Sequence, residues 1–150
     1  VSARPGAELQ LYNLGIDLSS AAPPLGDKYG IVAMGGTITI RDLNEDDIGL
    51  NISSGPTAIV YALRGTEGRK IFMLADISIS GAVGATLALS GLAIFDVQIM
   101  VERDAPKFVG YVTGRRYSVN ENSIAKTHGR GPDFIPGDSE GLVATGGQYS

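Results

Sequence analysis

No stretch of this chain sustains a helical apolar period over about 12 residues, whereas short alternating apolar segments recur between glycine- and proline-rich breaks. Glycine accounts for 21 of the 150 residues, so the chain has many points at which it turns. Short strands joined by turns predict an all-β domain with little helix. The segments that read as strands are Glu8–Leu14, Tyr29–Asp42, Pro56–Arg64, Lys70–Ser80, Ala85–Ser90, Phe95–Arg103 and Lys107–Ser118. Gly35-Gly36 interrupts the second and reads as a bulge or corner, and Gly65-Thr66-Glu67-Gly68 has hairpin-turn composition. Together they predict a closed antiparallel β-barrel of about eight strands over residues 1–118. A two-sheet sandwich fits the same pattern. Residues 119–150 are richer in glycine and polar side chains and read as a loose tail or arm, with one short strand near Leu142–Thr145.

A chain of this length is expected to form a single domain that buries a core without staples. The absence of cysteine excludes disulfides, thiolate metal sites and a cysteine nucleophile. A net charge of −4, with Arg115-Arg116 as the nearest thing to a basic cluster, argues against nucleic acid as a partner. The apolar run Ile59–Leu63 is far shorter than the ~20 residues that cross a bilayer as a helix. The chain opens on Val1, as expected where an N-terminal segment has been removed. Localisation, secreted or cytoplasmic, is left open.

Strand parity sorts side chains by face. Ile38, Ile40 and Asp42 share one face. Phe72, Leu74 and Asp76 share another, opposite Ile71, Met73, Ala75, Ile77 and Ile79. A carboxylate in so apolar a run requires a partner or a wet cavity. Asp76 is therefore either a strand-end hydrogen-bond acceptor or an acid facing the lumen. Asp42, Asn44 and Asp46 imitate the start of a calcium loop, but Asp47 and Ser53 stand where its glycine and bidentate glutamate belong. A solvated acidic loop, with no metal, is the expectation. His128, the only histidine, reads as a solvated tail residue.

Four pieces in order resemble the dirigent family. Gly36-Thr37-Ile38-Thr39-Ile40-Arg41-Asp42-Leu43 is similar to its GTVxVxDDxLT strand, with Arg41 in place of one aspartate. Gly55 and Tyr61 keep the ends of GRAQGxY. Gly84-Ala85-Thr86-Leu87 through Gly91 is close to GSTLxxxG, and Lys107-Phe108 with Gly114 matches parts of GTGxFRxARGY. The family's late arginine falls on Val109. The resemblance, to dirigent and allene oxide cyclase barrels, implies a homotrimer that needs no cofactor. Each lumen would hold a small hydrophobic molecule and steer its cyclisation or coupling. It implies Asp42 and Tyr61 as catalytic groups; parity adds Asp76, and Arg115 is the cation placed to balance a carboxylate. The other readings are a non-catalytic binding, surface or virulence-associated barrel, and a structural assembly protein whose tail serves as an arm.

Overall fold

The computed structural model describes residues 2–3, 6–18, 29–34, 36–44, 47–54, 59–99 and 104–150. In chain order its strands are β1 (Ser2–Ala3), β2 (Glu8–Tyr12), β3 (Leu14–Leu18), β4 (Tyr29–Ala33), β5 (Thr37–Arg41), β6 (Ile48–Ser54), β7 (Ile59–Gly65), β8 (Lys70–Met73), β9 (Asp76–Leu89), β10 (Ile94–Val97), β11 (Phe108–Val109), β12 (Val112–Val119), β13 (Ile124–Lys126), β14 (Leu142–Val143) and β15 (Gln148–Tyr149). The described residues contain no helix, in keeping with the all-β reading.

Every strand pairing among them is parallel. Sheet A runs β1-β4-β7-β9-β12-β14 and sheet B runs β2-β5-β8-β10-β13-β15. Sheet C consists of β3, β6, the first part of β9, and β11. As far as β12 the chain passes from A to B to C and then returns to A one strand further along, and β13, β14 and β15 continue A and B, so successive turns stack as rungs of a parallel β-solenoid. This overturns the closed antiparallel barrel. It also replaces the loose tail, because residues 119–150 carry β13, β14 and β15 and extend sheets A and B.

The alternating pattern had the right faces but assigned them to the wrong object. Lys70–Ser80, expected to be one wall strand, is β8 followed by the start of β9, with a corner at Leu74-Ala75. Ile71, Met73, Ala75, Ile77 and Ile79 stay buried through that corner, so one parity feeds two sheets. Buried side chains stack in columns along the rungs. In sheet B the column is Ile38, Ile71, Phe95 and Ala125. In sheet A it is Ile31, Leu63, Leu87 and Tyr117, and in sheet C Ile52 and Ile79 are in register. Each such Leu, Ile or Phe contributes roughly 1.5–3 kcal/mol on burial.

The corner between sheets A and B repeats four times with one backbone geometry. Its two central residues both have positive φ: Glu67 and Gly68, Gly91 and Leu92, Glu121 and Asn122, Thr145 and Gly146. Two consecutive left-handed residues are the signature of a type I′ turn, which is why Gly65–Gly68 resembled a hairpin. Here the turn passes the chain to a different sheet. The Gly68, Leu92 and Asn122 N–H groups donate to the carbonyls of Gly91, Glu121 and Thr145, binding each corner to the next.

Leu92 occupies such a position at φ 65° while being 62 % exposed, so its side chain gives little in return. A left-handed L-residue costs about 1–2 kcal/mol, against the 0.5–1 kcal/mol that glycine loses in unfolded-state entropy. Leu92→Gly is therefore expected to raise stability by about 0.5–1 kcal/mol, read as a rise of a few degrees in the thermal midpoint. A fall in that midpoint would count against this account of the corner.

Candidate functional site

The four residues singled out from sequence do not converge. Asp42 is half-buried and follows β5, at the corner between sheets B and C. Asp76 opens β9, where its Oδ1 accepts the Lys107 backbone N–H at 3.0 Å and its Oδ2 lies 3.8 Å from Lys107 Nζ. That is a strand-end role joining two rungs. Tyr61 and Arg115 belong to sheet A, each in register with Ala85 and hence two strand spacings apart, roughly 9–10 Å. Arg115 is exposed.

Tyr61 does belong to a cluster. Its ring stacks on Tyr29 at 5.9 Å, and the Arg64 guanidinium lies 5.2 Å from the Tyr29 ring centre and 5.4 Å from that of Tyr61. Arg64 Nη1 also donates to the Tyr29 hydroxyl at 3.0 Å. The local sequence explains the grouping. Ala62 and Leu63 are both fully buried, a break in strict alternation that brings Tyr61 and Arg64 out on the same side. The cleft beside them, about 70 Å³, is lined by Tyr61, Arg64, Ser90, Ser118 and Asn120, with Ala88 and Leu89. Asn120 Nδ2 donates to Ser118 Oγ at 2.8 Å, which fixes the far wall.

A second cleft of about 210 Å³ adjoins the same strand, β12. It is lined by Arg116, Tyr117, Asp133 and Glu140, with Pro132 and Gly141. Arg116 Nη2 pairs with Asp133 Oδ1 at 3.1 Å. Arg116, Ser118 and Asn120 alternate along β12 and just beyond it, so strand parity puts these three side chains, which line the two clefts, on the outer face of sheet A, opposite the buried Tyr117. Together they make a polar strip with an aromatic and cationic end. Nearby, Asp138 Oδ1 accepts the Gly114 N–H at 2.8 Å and the Ser139 hydroxyl at 3.1 Å, and these bonds hold its carboxyl below the usual range.

Elsewhere the polar residues act within the scaffold. Asp47 Oδ2 accepts the side-chain amides of Asn44 at 2.8 Å and Asn13 at 2.9 Å, which lowers its pKa; Glu45 and Asp46 lie outside the described residues. Among the described residues, no three His, Cys, Asp or Glu side chains are grouped as a metal site. His128 is tied to the preceding rung, with Nε2 3.0 Å from Asp96 Oδ1. No helix among them is long and apolar enough to cross a membrane.

Sequence reasoning missed Tyr29, Arg64, Ser118 and Asn120. Arg64 carried a signal, as a cation near the end of an apolar strand. Its partners are assembled by rung register, which the sequence does not display. The chain matches no protein-family model, no curated protein and no solved structure.

Proposed function

We propose that this chain is a solenoid recognition module that binds an extended polyhydroxylated polymer, a polysaccharide, along the outer face of sheet A. The observation that carries this reading is Arg64 lying over the paired Tyr29 and Tyr61 rings, beside a cleft walled by Ser90, Ser118 and Asn120. A sugar ring offers an apolar C–H face to an aromatic ring and hydroxyls to hydroxyl, amide and guanidinium groups; this cluster supplies all of these. A stacked scaffold also suits an extended ligand, because it presents a surface that continues from rung to rung. The second cleft, with Arg116, Asp133 and Glu140, lengthens the polar track. Stereocontrol of a small hydrophobic metabolite calls for an enclosed apolar space. The clefts described here are open and polar-lined, and the columns of Ile, Leu and Phe fill the interior, so no observation favours that chemistry.

The test is affinity electrophoresis through gels containing neutral (dextran, mixed-linkage β-glucan) or anionic (polygalacturonate) polymers. At least one polymer is expected to retard the protein. Tyr61→Ala and Arg64→Ala should each weaken that retardation about tenfold while leaving the circular dichroism spectrum unchanged, the loss of one stacking or hydrogen-bond contact. Migration unaffected by every polymer, or retardation that both variants retain, would remove the proposal.

A further inference from the structure

A cleft of about 330 Å³ lies on a different part of the solenoid, at the first three corners between sheets A and B. It is lined by Gly6, Ala7 and Glu8, then Gly36 and Thr37, then Gly68, Arg69 and Lys70. These are equivalent positions on successive rungs, since Glu8 is in register with Thr37 and Thr37 with Lys70. The residue before each is Ala7, Gly36 or Arg69. The first two corners thus carry at most a methyl group where the third carries a guanidinium. The space exists because two rungs withhold side chains, and the third rung lines it with adjacent cations.

Among the described residues, Arg69 and Lys70 enter no ion pair. The Nε of Arg69 is buried without a hydrogen-bond partner, and its backbone is fixed on both sides: Arg69 N–H donates to Thr66 O, and Arg69 O accepts from Ile94 N–H. Arg69 thus lines the cleft from a short segment whose backbone is pinned at both ends. Glu8 is the one acid in the lining, and its Oε1 accepts Gln10 Nε2 at 3.3 Å. The cleft is therefore net positive on a chain whose net charge is −4.

We infer that this cleft binds a carboxylate-bearing small molecule or chain end, such as a sugar acid. Arg69 presents a planar fork that matches a carboxylate, Lys70 adds a point charge, and the Thr37 hydroxyl supplies a further donor. Glu8 keeps the surplus charge small, which favours a monoanion over dianionic phosphate or sulfate. The volume is at the lower end of the range that encloses a small ligand, so it suits a single sugar-sized unit.

Titration of the intact protein at low salt with sodium glucuronate, phosphate and sulfate tests the inference, followed by the amide resonances of Gly36, Thr37 and Gly68 and by calorimetry. Saturable shifts are expected with glucuronate. Arg69→Gln and Lys70→Gln should each weaken binding at least about tenfold, and Arg69→Lys less, while Glu8→Gln should admit phosphate. Absence of saturable shifts would overturn the site. So would glucuronate binding that survives the Arg69→Gln, Lys70→Gln double variant. Phosphate or sulfate binding to the native protein as tightly as glucuronate would overturn the carboxylate assignment.

Discussion

Gly114→Ala is expected to destabilise the protein by at least about 3 kcal/mol, from backbone strain together with overpacking. Gly114 has φ 127°, a conformation that side chains rarely adopt, and it sits where the register of β12 on β9 slips between Thr113 and Arg115. A Cβ built there would collide with the Val83 carbonyl oxygen, which is backbone and cannot swing aside. The residue is also pinned by its hydrogen bonds. Its N–H donates to Asp138 Oδ1 at 2.8 Å, and its carbonyl accepts the Ser139 N–H at 3.1 Å. Any shift that relieved the collision would break the join between two rungs. Gly129→Ala is the control, because Gly129 has φ 75° with nothing near its would-be Cβ. That change should cost only the left-handed penalty, about 1–2 kcal/mol. Urea unfolding of the two variants side by side checks the difference. Equal midpoints would show that the bulge at Gly114 does not require glycine.

What the sequence reveals about this fold is limited by what alternation encodes. A period of two reports which side chains share a face, and the buried Ile38 and Ile40, Ile71 and Met73, and Ile77 and Ile79 all follow it. It is the same for parallel and antiparallel neighbours, so strand direction is invisible. The turn at Gly65–Gly68 compounds the problem, because two left-handed residues serve a hairpin and a solenoid corner equally well. The repeat is hidden for a further reason. Four corners between sheets A and B share one geometry, but the rungs differ in length: Lys70 pairs with Ile94, whereas Leu14 pairs with Leu50. A fixed period would have exposed the rungs, and these unequal lengths erase it. The candidate sites inherit this limit. Read as the wall of one lumen, Asp42, Tyr61 and Asp76 belong together, yet they lie on different sheets or corners. Tyr29 with Arg64, and Ala7 with Gly36 and Arg69, become neighbours only when rungs stack.

Phe95→Ala is expected to cost about 3–5 kcal/mol, a large share of the roughly 5–15 kcal/mol that holds a domain folded. Phe95 is fully buried in the sheet B column between Ile71 and Ala125. Ala125 is too small to fill the space that the ring would leave. The ring also stacks on Phe108 at 6.3 Å, and Phe108 meets Phe134 edge-on at 5.4 Å. One substitution thus removes support from β10, from β11 and from the segment that leads into the last rung. Phe95→Leu, which keeps most of the volume, should cost less than about 1.5 kcal/mol. The damage should also be uneven, because rungs contact only their neighbours and stability is passed along the stack. Amide exchange in Phe95→Ala should accelerate first at Val109 and Ala125, while Ile31 and Ile38, at least two rungs away, keep their protection. Uniform acceleration across all rungs would mean that the solenoid unfolds as one unit, and a loss under 1 kcal/mol would mean that the Phe95 column does not anchor the core.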